Sequence, residues 1–279
     1  MPKPGHESPA LSEHEQEQAA DSAALPAKVV HEVIRAEGEK ELGRDAGQIL
    51  WSGLAAGLSM GFSFFVEAQL RAGLPDTPWR HLVAALGYTV GFVIVVLGRQ
   101  QLFTESTITA VLPVLTRRDL ATLGKMIRLW ALVLASNIIG TWLFAALLAY
   151  AHPYKPELAP ALAALSADTM SGGFISTMIK AGLAGWLIAL MVWLLPSAKT
   201  ARLLIVLLIT YVVALAELPH IIAGSSEAAF AVLSGRATIG GYALAFFLPT
   251  LIGNTLGGSI FAALLNHAPV SGEVRDDAD

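Results

Sequence analysis

Two short stretches carry most of the polar chemistry of this chain: "GRQQLFTEST", Gly98 to Thr107, and "ELPHIIAGSSE", Glu217 to Glu227. Each interrupts a hydrophobic run. His220 is the side chain best suited to meet a solute, because an imidazole exchanges a proton near neutral pH. A bare anion in a dry constriction faces a large desolvation cost, which disappears once it becomes a small neutral acid. The bland alternative is a histidine that only bonds the interrupted backbone. Thr104 stands where a half-helix would restart, and its hydroxyl there would cap free N–H groups. The positive end of that half-helix would then attract an anion. Leu102 and Phe103 read either as an apolar gate or as packing.

The charged neighbours have less direct uses. Glu105 would repel an anion, so it is read as bonding loop amides or a neighbouring subunit. Arg99 pairs with Glu105 or caps a carbonyl of the first break. Lys180 lies inside an apolar run and is a functional candidate by location. It would attract the anion, repel a proton from His220, pair with Glu67 or Glu217, or reach an interface. Glu217, Gly224 and Ser225 flank His220 and are assigned to support of its loop. No P-loop, HExxH or post-strand GxGxxG motif occurs, and the histidines are scattered. No enzyme, cofactor or metal site is expected. The absence of cysteine removes thiol catalysis and Cys-ligated metal.

The elements that must hold these residues are membrane spans. Of the 279 residues 54% are hydrophobic and only 14% charged, against about 25% charged in soluble domains. Six hydrophobic regions emerge, over 49–70, 82–116, 127–151, 172–196, 201–234 and 242–267. The second and fifth are too long for one crossing, since about 35 helical residues run to roughly 50 Å against a core of about 30 Å. Both carry polar residues at their centres, so both are expected to be broken. Residues 1–25 read as an acidic disordered tail, 26–48 as an amphipathic helix on the membrane surface or a neighbouring subunit, 49–270 as the channel domain and 271–279 as a tail. With the N-terminus inside, 12 Lys and Arg fall on inner segments and 4 on outer ones. That bias places both termini in the cytoplasm. The net charge of −4 does not suggest nucleic-acid binding.

An internal repeat ties the breaks together. "NIIGTWLFAAL" from Asn137 and "NTLGGSIFAAL" from Asn254 share six of eleven positions at an offset of 117. The same offset, without gaps, lays Gln101–Ser106 on Leu218–Ala223. Two three-span halves follow, inverted because each has an odd number of crossings, as in many transporters and channels. Gly140, Gly257 and Gly258, with Asn137, are assigned to close helix packing. Broken backbone at membrane depth survives where it is buried or lines a cavity, so the two breaks should meet near the midplane.

"QLFTEST", "ELPHIIAGSSE" and "GNTLGG" resemble segments of the formate/nitrite transporter family. "EKEL.RDA", "LWS..AAGLSMG" and "RQQLFTE" are similar to its YfdC-like subgroup. The resemblance implies an all-α, aquaporin-like protomer of six transmembrane helices in two inverted three-helix repeats with broken second and fifth helices. It further implies a homopentamer in the bacterial inner membrane, passing small monovalent anions or their conjugate acids such as formate, nitrite or acetate. On the matching positions, Leu102, Phe103 and Thr104 form the first loop, which narrows the cytoplasmic side. His220 is the central histidine, and Asn254 a polar residue near it. The chain departs from the family pattern at Pro219 and Gly224, where better-known members carry Glu and Asn. It departs again near Thr169, where they carry lysine. Two rival readings remain: a neutral-solute channel for water or ammonia, and a non-conducting membrane scaffold or sensor.

Overall fold

A computed structural model describes residues 12–16 and 25–261. The tail expected over 271–279, and all but 12–16 and Leu25 of that expected over 1–25, lie outside the described residues. The described residues contain helices and no strand.

Helix α1 (Ala27–Leu42) is shorter than the expected amphipathic segment, because Gly43 ends it. It buries Val30, Ile34 and Leu42. It docks on its own chain. A Cβ at Gly38 would run into the carbonyl of Thr109, and Arg117 and Arg99 pair with Glu39 and Glu37, both at 2.9 Å.

The first half continues with α2 (Ala46–Gly73), α3 (Arg80–Leu97), the half-helix pieces α4 (Phe103–Thr109) and α5 (Val111–Arg117), and α6 (Leu120–Ala146) with a π-helical turn over Leu147–Ala151. A short helix α7 (Ala159–Met170) connects the halves. The second half comprises α8 (Phe174–Leu194), α9 (Arg202–Leu215), α10 (Ala223–Leu233) and α11 (Leu248–Ile260), the last entered through a π segment, Tyr242–Phe247. Five helices among the described residues are long and apolar enough to cross a membrane; α9, with 14 residues, is shorter. The fifth crossing is therefore divided between α9 and α10, as the second is between α3 and the α4–α5 pair. This is the six-span, inverted-repeat arrangement with broken second and fifth helices that the sequence led us to expect.

Glycine sets the packing distance in both halves. A Cβ at Gly57 would meet the carbonyl of Asn137, and one at Gly185 would meet that of Asn254. Gly140 in turn sits against Leu54 and Gly57, and Gly257 against Gly182 and Trp186. The α2–α6 and α8–α11 pairs are thus the same small-residue contact made twice. Gly258 has a different neighbour, the hydroxyl of Thr107.

Candidate functional site at the meeting of the two breaks

Each break begins with the same helix ending. After α3, Arg99 takes the left-handed conformation at φ 54°. Its N–H bonds the Val96 carbonyl at 3.3 Å, and the Gln100 N–H bonds that of Val95 at 3.0 Å. After α9, Glu217 does the same at φ 49°, with 3.0 Å bonds from Glu217 to Ala214 and from Leu218 to Val213. These are Schellman endings, which usually recruit glycine because a side chain is strained in that conformation.

Each break is then clamped by one asparagine. Asn137 accepts from the Phe103 N–H at 2.9 Å and donates to the carbonyls of Gln101 (2.9 Å) and Gly53 (2.8 Å). Asn254 accepts from the Ile221 N–H at 2.8 Å and donates to the carbonyls of Pro219 (3.0 Å) and Ala181 (2.7 Å). Both side chains are fully buried. Backbone groups released where a helix stops would otherwise be unpaired in the membrane interior, at a cost of several kcal/mol each, about the figure for an unsatisfied group in lipid.

These bonds revise the repeat register. Across the breaks the offset is 118, not 117: Phe103 corresponds to Ile221, and Leu102 to His220. The ungapped offset of 117 fits the third spans but requires one inserted residue before them. The bonds also place Asn254 with Asn137 as a backbone clamp rather than as a polar group presented to the pore.

His220 is 1% exposed. Its Nδ1 accepts from the N–H groups of Ile222 (3.3 Å) and Ala223 (3.2 Å), so the ring caps the start of α10. With Nδ1 an acceptor, the neutral ring carries its proton on Nε2. Nε2 lies 2.7 Å from the Thr104 hydroxyl, and the edge of the ring meets Phe92 at a centroid distance of 4.9 Å. The two breaks therefore touch through one side chain from each. Thr104 is not the cap expected from the sequence: α4 begins one residue earlier, behind Leu102, and no side chain caps it.

The other expected residues fall as follows. Leu102 and Phe103 are buried at 1% and 2%, and the Phe103 ring packs edge-on to Trp130. Arg99 pairs with Glu37 of α1 and not with Glu105. One carboxylate oxygen of Glu105 is buried without a partner among the described residues. Ser225 bonds the Tyr242 hydroxyl at 3.1 Å, and a side chain at Gly224 would come within 2.7 Å of the Phe246 ring. Lys180 and Glu217 line a cavity of about 190 Å³ that opens on the face opposite α1 and ends at His220. Among the described residues Lys180 forms no ion pair with Glu67 or Glu217, although it lines the same cavity as both.

The sequence reading gave no site role to Glu227 or Tyr88, which line this cavity, and weighed Glu67 only as a partner for Lys180. Glu227 closes the second quoted stretch, and its carboxylate accepts from the Thr169 hydroxyl. Tyr88 and Glu67 stand on α3 and α2. As a carboxylate in an apolar span, Glu67 could have been marked as a candidate in its own right.

Six crossings in inverted halves, with two clamped breaks meeting at the end of a cavity, define a membrane channel or transporter of aquaporin-like architecture. More particularly, the chain belongs to the formate/nitrite transporter family, whose model matches residues 28–268. It is 41% identical to the inner membrane protein YfdC of Escherichia coli over 92% of this chain and 83% of that protein. The fold is that of a pentameric formate channel with formate bound (TM-score 0.67, 19% identity, 79% of this chain and 95% of that one). It is equally that of an FNT family ion channel (TM-score 0.68, 20% identity, 85% and 94%).

Proposed function

We propose that this chain forms, as a homopentamer with both termini cytoplasmic, a bacterial inner-membrane pore for small monovalent anions or their conjugate acids. The observation that carries this reading is the 2.7 Å contact between His220 Nε2 and the Thr104 hydroxyl at the blind end of the cavity. The solvated cavity would deliver the solute to this pair. Next to His220 stand the buried, apolar Phe92, which meets its ring, and Leu102 of the first break. A charged species would lose its hydration there with little in return, so passage is in the neutral acid form. His220 offers its Nε2 proton to a solute oxygen, and Thr104 shares that bond. The ring works as a hydrogen-bond donor that keeps its proton rather than relaying one through the imidazole, and the solute brings the acid proton with it from bulk water. Relay would require a proton on Nδ1, which two backbone N–H groups already address. The resting tautomer is built into the second break.

The test is solute flux in proteoliposomes. Formate, nitrite and acetate pulses should give protein-dependent uptake that rises as the pH is lowered toward the acid form. His220→Phe should reduce it at least tenfold, and Thr104→Val by a smaller factor. Correctly folded protein that passes none of these solutes would overturn the proposal.

A further inference from the structure

The cavity that ends at His220 has a lining unsuited to attracting anions. Two carboxyl groups, Glu67 on α2 and Glu227 on α10, face it from its inner part. They are 6% and 8% exposed. Glu227 is held by the Thr169 hydroxyl. Glu67 has neither a hydrogen bond nor an ion pair among the described residues, although it is more than nine-tenths buried. The Tyr88 hydroxyl, on a residue 7% exposed, is likewise without a hydrogen-bond partner and borders the same space. A buried polar group normally has a partner. Here two adjacent ones do not, and both border a cavity rather than packed protein.

The charges nearer the mouth do not cancel this pair. Arg71 is already taken by Asp168 at 3.0 Å. Glu217 adds a third unpaired carboxylate, against the single ammonium of Lys180. The imidazole of His81 is turned to the Leu215 carbonyl at 3.2 Å.

From this we infer that the cavity is a binding site for a small ammonium-type cation, ammonium itself or a primary methylamine in its protonated form. Four oxygen-bearing side chains border the cavity, those of Glu67, Glu227, Tyr88 and Thr169. Each accepts an N–H, which suits an ion made of N–H donors. The Tyr88 and Phe246 side chains also border the cavity, and aromatic rings attract such cations. A coordinated metal ion fits less well: among the described residues no three His, Cys, Asp or Glu side chains converge on one point. A volume of about 190 Å³ equals the share of roughly six waters, enough for a small hydrated amine, while a quaternary ammonium has no N–H to give these oxygens. The inference stands apart from the proposed anion function, because it concerns occupancy of the cavity and not passage beyond His220.

Calorimetric titration of the purified full-length protein in detergent at pH 7.5 tests it directly. Methylammonium chloride should bind saturably, while sodium chloride and tetramethylammonium chloride at the same concentrations should not. Glu67→Gln and Glu227→Gln should each weaken methylammonium binding at least tenfold, with size-exclusion and circular-dichroism profiles unchanged. Tyr88→Phe, which removes one hydroxyl and leaves the ring, should weaken it a few-fold, and Lys180→Gln should strengthen it. Absence of saturable methylammonium binding, equal binding of sodium, or binding undiminished in both glutamine variants would each overturn the proposal. If a glutamine variant does not fold, the Tyr88→Phe and Lys180→Gln shifts decide: no change in either overturns it.

Discussion

The two breaks share a backbone and differ in what they present. Both leave a helix through a left-handed residue, both are clamped by an asparagine from the third span of their own half, and both lie beside a glycine contact at the paired first and third spans. Yet Leu102 in the first corresponds to His220 in the second, Arg99 to Glu217, and Gln101 to Pro219. The first break is tied to the N-terminal segment, by Arg99 to Glu37 of α1 and by Arg44, just beyond that helix, to Gln101 at 2.7 Å. The second opens on the cavity. The shared features are those that satisfy backbone polarity inside a membrane, and they tolerate little change. The unshared ones are free to carry selectivity, which is why the histidine occurs once.

If the clamps are equivalent, breaking either should do equal damage. Asn137→Leu and Asn254→Leu each strand one N–H and two carbonyls, at about 1–3 kcal/mol per buried group. We expect both variants to lose most folded protein, seen as collapse of the size-exclusion peak. A large difference between them would show that one half folds independently of its clamp. Gly57→Ala and Gly185→Ala should each cost about 1–3 kcal/mol by overpacking, measured as matched losses in melting temperature.

His220→Leu turns the second break into a copy of the first. It removes the acceptor of two α10 N–H groups, and a lost helix cap costs about 1 kcal/mol. The melting point should fall modestly, far less than in the asparagine variants. Arg99→Gly and Glu217→Gly relieve left-handed strain of about 1 kcal/mol. Glu217→Gly should therefore raise the melting temperature slightly, whereas Arg99→Gly also loses the Glu37 contact and should change little.

The smallest contrast lies where the third spans begin. Asp119 accepts from the Thr122 N–H at 2.8 Å, and Thr238 accepts from the Gly241 N–H at 3.0 Å. The backbone and side-chain bonds from Thr122 hold the Asp119 carboxyl below its ordinary value. Its contribution is therefore complete above the usual aspartate range and is lost as pH falls through the lowered value. Melting curves of Asp119→Asn should converge with those of the wild type at acid pH. Those of Thr238→Ala should stay equally displaced at every pH.

Much of this molecule was legible before any coordinates. Hydrophobic length against bilayer thickness gave the six crossings, the excess length of two regions exposed the breaks, and the "NIIG" and "NTLGG" match revealed the halves. What spacing cannot convey is which atoms meet across the chain. Asn137 and Asn254 aligned in the repeat, but they were assigned to packing and to the pore, because a clamp is recognised only when its carbonyl partners are seen. Thr104 was read as a cap because hydroxyls at helix starts commonly cap, whereas its hydroxyl is claimed by a histidine 116 positions away. Glu67, Tyr88 and Glu227 lie on three separate helices and share no sequence pattern.

Composition and periodicity thus determined the class, the crossings and the two interruptions, since those depend on local solvation of the chain. The tertiary structure alone decided the one-residue shift in register, the tautomer of His220 and the acidic lining of the cavity. Each of these is set by a hydrogen bond or a shared space between residues distant in sequence.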